Sequence, residues 1–154
     1  MAVTPPRDRP FVQFNFLVDI GNGTEGVQAG FQEVTGLGME VTVAEYRAGN
    51  KQENTVQKIS GMNKSTDVTL KRGIMGAVDI YQWLDMVRNG NVKKGEGLRD
   101  VKISLRSEDH ATTVFTWTLQ NARPNKCTFG PLNAKGTDVA MEELVLAYER
   151  MQLE

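Results

Sequence analysis

The sequence predicts a mostly β domain with one helix, folded as a sandwich or partly open barrel whose helix covers one end or edge. Three observations carry this. Apolar and polar residues alternate with period two in several separate stretches, clusters of Gly and Asn punctuate them, and only one segment, after Gly76, repeats its apolar residues at helical spacing. At 154 residues the chain fits a single domain able to bury roughly two-thirds of its unfolded surface, so residues 11–154 are assigned to one domain without a disulfide staple.

Residues 1–10 hold Pro5, Pro6 and Pro10 among charges, which disfavours helix and sheet alike, and are expected to form a mobile arm. From Val12 the chain alternates, with Val12, Phe14, Phe16, Val18 and Ile20 on one face, as a half-buried strand requires. Gly21-Asn22-Gly23 closes it, and 27–34 reads as a short return strand. After the break at Gly36-Leu37-Gly38, residues 39–47 alternate again, Met39, Val41 and Val43 expected toward the core and Glu40, Thr42 and Ala44 away from it. Residues 48–64 carry Gly49, Asn50, Asn54, Gly61 and Asn63 with only Val56 and Ile59 as anchors, and read as a long loop with room for a short extended piece, the kind that usually has a job or a partner. The next strand, 66–72, sets Val68 and Leu70 against Asp67, Thr69 and Lys71 and is expected to pair with 39–47.

Ala77, Ile80, Tyr81, Leu84 and Val87 then form a helical stripe, opposed by Asp79, Gln82, Asp85 and Arg88, and Asn89-Gly90-Asn91 ends the helix. Trp83 falls off that stripe, which leaves contact with the helix's own sheet and contact with a partner equally open. Two strands follow, 98–107 with Val101, Ile103 and Leu105 inward and 113–122 with Phe115, Trp117 and Leu119 inward. The last extended stretch, 138–151, is apolar on both faces, as a strand buried from both sides would be, although Ala140 to Leu144 are good helix formers and a helix stays open there.

Chemistry is sparse. The single histidine, His110, lies in a polar turn without a second imidazole or thiolate at ligand spacing, and Cys127 has no thiol partner. No serine sits in a nucleophile elbow, and the adjacent carboxylates Glu142 and Glu143 would diverge on a strand. Neither Gly21-Asn22-Gly23 nor Gly36-Leu37-Gly38 leads into a helix as a phosphate loop would. A net charge of −1 with mixed signs offers no stripe for nucleic acid, no leader is expected in the first residues, and no run approaches the ~18 apolar residues of a membrane span. The residues therefore point to no enzyme, no metal and no cofactor.

Several runs resemble, in order, the phage tail tube proteins of contractile tails and injection systems. They are Phe14-x-Phe16-x-Val18, Gly30-Phe31-x-Glu33-Val34-x-Gly36-Leu37, Glu45-Tyr46-Arg47-Ala48-Gly49, Thr69-Leu70-Lys71-Arg72-Gly73, Asn121-Ala122-Arg123-Pro124, Leu132-Asn133-Ala134 and Ala140 to Leu144. The resemblance implies an inner-tube subunit. Six copies would close into a ring walled by a continuous β-barrel, and rings would stack into a hollow tube inside a contractile sheath.

It also implies partners: further copies of the chain, sheath, baseplate or tube initiator, terminator or tape-measure protein, and a cargo of DNA or effector protein, with no membrane insertion. Assembly is expected in the bacterial cytoplasm and the product in a virion tail or tail-like particle. On this reading Glu40, Thr42, Ala44, Asp67, Thr69 and Lys71 are expected at the lumen, and Gly49, Asn50, Lys51, Gln52, Glu53, Asn54 and Val56 between subunits or rings. A tube initiator, a type VI secretion tube-like carrier and, from another class, a monomeric small-ligand β-barrel stand as alternatives.

Overall fold

A computed structural model describes residues 8–21, 28–76 and 78–154. Most of the expected arm, the turn at Asn22 and Gly23, the residue Val27 and the helix position Ala77 lie outside the described residues. The first strand, β1 (Phe16–Asp19), starts later than the alternation predicts. Phe14 is 72% exposed and Asn15 is buried in its stead, its Nδ2 donating to the Ser107 carbonyl at 3.4 Å. Val18 and Ile20 reach the core as expected.

The expected return strand divides in two. Strand β2 (Gln28–Ala29) pairs with β1, whereas β3 (Glu33–Thr35) pairs with β6 (Val68–Gly73). Between them Phe31 is buried beneath the Arg72 guanidinium, 5.5 Å from the ring centre. A larger correction concerns β4 (Met39–Tyr46). It does not pair with the Val68–Gly73 strand. Its partner is β5 (Gln57–Ser65), a strand occupying the second half of the segment expected to be loop, and the two form a sheet of their own. The pairing runs through backbone groups, which the chain that returns beside β4 can supply whatever its side chains. Met39, Val41 and Val43 are exposed, not turned to the subunit core.

The helix α1 (Asp79–Arg88) buries Ile80 and Trp83 and half-buries Leu84 and Val87, so the apolar stripe includes Trp83 in place of the exposed Tyr81. No side chain caps its start, but Asp79 in the first turn favours the positive end of the helix dipole, and Gly90 in the left-handed region turns the chain out at the other end. Strands β7 (Arg99–Arg106), β8 (Thr113–Phe129), β9 (Met141–Ala147) and β10 (Arg150–Leu153) complete the body, and the helical alternative for 138–151 is excluded.

These strands make one antiparallel sheet in the order β2-β1-β7-β8-β9-β6-β3, with β10 also on β8. β8 joins its halves. The first part pairs with β7 and β10; after Asn121, which takes a positive φ of 52°, residues Arg123–Phe129 pair with β9. Pro124 has no N–H to donate, and the register shifts beside it, bending the strand so that the two halves of the sheet face each other. Val18, Val101, Ile103 and Leu119 from one half meet Val68, Leu70, Leu144 and Leu146 from the other, with Ile80 and Trp83 packed in the same core. Among the described residues the barrel stays open between β2 and β3.

Candidate functional site

His110 lies in the left-handed region of an exposed turn, and Cys127 is half-buried beside Leu144. Burial, and after it the Glu142 charge, push the Cys127 thiol up, which makes it a poor nucleophile. Among the described residues no three His, Cys, Asp or Glu side chains converge on a metal position, and no helix is long and apolar enough to cross a membrane. What the fold does display is surface of two kinds: a projecting hairpin and a polar sheet face.

The hairpin is β4 and β5. Its cross-strand register puts Met39, Val41, Val43 and Glu45 on one face with Ser65, Asn63, Ser60 and Lys58, and Glu40, Ala44 and Tyr46 on the other with Lys64, Ile59 and Gln57. The register slips between Val41 and Val43, where Thr42 Oγ1 donates to the Met62 carbonyl at 2.9 Å. Met39, Val43, Ile59, Tyr46 and Met62 are all more than half exposed. The two exposed faces differ: one carries the apolar row Met39, Val41 and Val43, and the other mixes Glu40 and Thr42 with Ala44, Tyr46 and Ile59. At the tip, Arg47 donates to Asn54 Oδ1 at 3.1 Å and the Lys51 amide to the Ala48 carbonyl at 3.2 Å. Gly49, Asn50, Gln52, Glu53, Asn54 and Val56 are exposed around that tip and Lys51 is half-buried.

Where the hairpin leaves the body, three groups hold it. Gly36 has φ of +87°, and a Cβ there would run into the Asp67 carbonyl oxygen. Thr66 Oγ1 lies 2.6 Å from the Gly36 carbonyl and 3.3 Å from that of Gly38, and the Tyr148 hydroxyl donates to the Gly38 carbonyl at 3.2 Å. Burial, together with the Asp67 charge, outweighs the nearby hydroxyls and raises the Tyr148 phenol above its ordinary pKa, keeping it a protonated donor. Sequence reasoning missed this latch. Gly36 was legible only as a break, and nothing local connects Tyr148 with a turn 110 residues earlier.

The polar face belongs to β6 and its neighbours. Val68, Leu70 and Arg72 point into the core, so Thr69 and Lys71 point out, beside Glu33 and Thr35 on β3 and Glu143 and Val145 on β9. Asp67 stands just before the strand and accepts from Asn125 Nδ2 at 3.4 Å. Glu40, Thr42 and Ala44 thus occupy the hairpin while Thr69 and Lys71 occupy the main sheet, and the two sets share no ladder. Trp83 is settled by its contacts: it is wholly buried, its Nε1 donates to the Gly97 carbonyl at 2.9 Å, and the Arg99 guanidinium lies 4.8 Å from its ring centre. The ring is spent on its own subunit.

A family profile described as T4-like virus tail tube protein gp19 matches residues 12–152. Among solved structures, the chain is similar to one in the extended sheath-tube complex of the extracellular contractile injection system PVC, at 26% identity over 96% of this chain and 93% of that chain, with a TM-score of 0.82. A chain of the anti-feeding prophage baseplate, also 26% identical, covers 96% of this chain and 97% of its own length at a TM-score of 0.81. Hcp1 from Flavobacterium johnsoniae, at 10% identity over 91% and 94% of the two chains and a TM-score of 0.53, shares the fold alone. No curated protein matches. With the family profile spanning nearly the whole described body and both injection-system chains superposing along it, the chain belongs to the T4-like virus tail tube protein family and is a tail tube subunit.

Proposed function

We propose that this chain is the repeating subunit of the inner tube of a contractile particle, six copies closing into a ring and rings stacking inside a sheath. The observation that carries the reading is the hairpin of Met39–Tyr46 and Gln57–Ser65, whose apolar row of Met39, Val41 and Val43 is exposed. Further copies of the chain are the surface that covers it, and the tip residues Gly49 to Asn54 with Val56 meet a neighbour in the same ring or the next. The outward face of Thr69 and Lys71 lines the lumen, with Asp67 at its end. With Met39, Val41 and Val43 covered by a neighbour, Glu40, Thr42 and Ala44 are left toward the same water. Mixed charges on that wall, Lys71 near Glu33 and Glu143, would let a cargo pass without holding it.

The partners follow from the relatives. The similar chains come from a PVC sheath-tube complex, a PVC sheath/tube terminator and a 6-fold symmetrised anti-feeding prophage baseplate, so sheath, terminator and baseplate are the proposed contacts here. A tape-measure protein and a cargo of DNA or effector protein would occupy the lumen, assembly would precede release in the bacterial cytoplasm, and the role is structural, without catalysis. Electron microscopy of the purified chain, alone and with its baseplate, tests the reading. Stacked six-fold rings are expected; monomers under both conditions would overturn it.

A further inference from the structure

Strand β8 changes partners at a single point. Its ladder with β10 ends at Gln120 and its ladder with β9 begins at Arg123. On the β7 side Arg99 faces Ala122 and Val101 faces Leu119, so Gln120 and Asn121 together oppose Asp100, the geometry of a β-bulge. A bulge residue in the left-handed region is usually glycine, which bears no Cβ. Here it is Asn121, with φ of 52°. Its side chain does what a glycine could not. Oδ1 accepts from Lys94 Nζ, in the connection between α1 and β7, at 2.9 Å, and Nδ2 donates to Glu149 Oε2, in the turn between β9 and β10, at 2.7 Å. The Asn121 amide donates to Asp100 Oδ1 at 3.2 Å, and the same oxygen accepts from Lys94 at 2.5 Å. The Lys94 hydrogen bond outweighs burial and, with that of the Asn121 amide, holds the Asp100 carboxyl below its ordinary pKa, so it stays an acceptor.

The turn that Asn121 grips is also the one that holds the hairpin. Glu149 follows Tyr148, whose hydroxyl donates to the Gly38 carbonyl at the hairpin base, and the Glu149 amide donates to the Gln120 carbonyl at 3.0 Å. Bonds therefore run without a gap from Lys94 and Asp100, through Asn121, to Glu149 and Tyr148 and on to Gly38. We propose that Asn121 is the positioning residue that fixes the direction of the hairpin relative to the half of the body built on β7. The proposal rests on the tube reading and deepens it, because a head-to-tail ring closes only when every copy holds its contacting surfaces at the same angle. That angle is set inside the subunit, before any neighbour arrives.

A compensating pair in the full-length chain tests it. Asn121→Asp keeps a residue tolerant of the left-handed region and an acceptor for Lys94, but sets a carboxylate against Glu149. Adding Glu149→Gln supplies an amide that donates to that carboxylate and restores the tie. Spin labels on Ser60→Cys in β5 and Thr113→Cys in β8, with Cys127→Ser, read the angle as a distance distribution in dilute, unassembled protein; tubes are scored by negative stain on chains without labels. Asn121→Asp is expected to keep the native circular dichroism, broaden the distribution and lose the tubes. The pair is expected to regain both the narrow distribution and the tubes. Should Asn121→Asp unfold, Asn121→Gly, which keeps the backbone and drops both side-chain bonds, is expected to broaden the distribution in its place. A folded single variant with a narrow distribution, or a folded pair that behaves as Asn121→Asp does, overturns the assignment and leaves the tube reading standing. An unsubstituted chain that stays monomeric even with a baseplate overturns the tube reading, while the label distances still decide whether Asn121 fixes the angle.

Discussion

Arg72 brings a charge into the interior of the subunit and there joins three elements: its Nε donates to Glu142 on β9 and its Nη1 to Asp79 of α1 at 3.3 Å, while Phe31 lies beneath it. A buried pair of this kind adds little over a well-packed apolar pair, but removing one partner strands the other. Arg72→Ala, which leaves Glu142 buried and unpaired, is expected to destabilise the monomer by roughly 3–5 kcal/mol, read from the urea midpoint. The same cluster sets an acid limit. Burial alone would raise the Asp79 carboxyl, yet the hydrogen bonds and charge of Arg72 outweigh it and hold its pKa below the ordinary value. A depressed folded pKa contributes stability that is complete above the unfolded value, about 3.9, and is lost as pH falls through the folded one. Below about pH 4 the melting temperature should therefore drop more steeply in the native chain than in Asp79→Asn, and parallel curves would refute this.

At the scale of elements, the hairpin is aimed by its base. Gly36→Ala forces a side chain into a positive φ and against the Asp67 carbonyl, so the turn must open. Its expected outcome is a folded body that no longer builds regular tubes, seen as monomers or short irregular stacks by negative-stain microscopy. Tyr148→Phe removes one hydroxyl from Gly38 and should leave stability within about 1 kcal/mol while shortening the tubes. Deleting residues 52–56 removes the tip without entering β5 and should likewise yield a folded monomer; unaltered tubes would show that the tip is dispensable. The helix behaves differently. Trp83 and Ile80 belong to the core, so Trp83→Ala should cost about 3–5 kcal/mol in the isolated subunit and affect assembly only through that loss.

For the whole molecule, the division between a two-layer body and an exposed hairpin predicts which surfaces assembly will notice. Lys71→Glu changes the charge of the outward sheet face without touching the hairpin or the core. Tubes of unchanged diameter are expected from it, with a wall potential shifted toward negative; failure to form rings would show this face to be an interface and not a lumen. The open seam between β2 and β3 belongs to the same scale, because an edge of this kind in a monomer invites another strand.

Much of this was legible in the amino-acid order because it is set locally or by repetition. The 3.6-residue period located α1, Asn89-Gly90-Asn91 ended it, and period two in 66–72 and 98–107 chose residues that face inward, including Val68, Leu70, Val101 and Ile103. In 113–122 Leu119 is buried as expected, whereas Phe115 and Trp117 are only half-buried, and Val114 and Thr118 on the other face are buried too. The family was legible too, since its runs recur along the chain in order. Three features were decided only by tertiary structure. Gln57–Ser65 is a strand because its backbone returns beside β4 and completes a ladder with it, although its own glycine, serines and asparagine argue for a loop. Met39, Val41 and Val43 were left outside because alternation tells which side chains share a face, never what that face will meet. Tyr148 came to hold Gly38 because a bent sheet brings distant segments together in ways that no local pattern encodes.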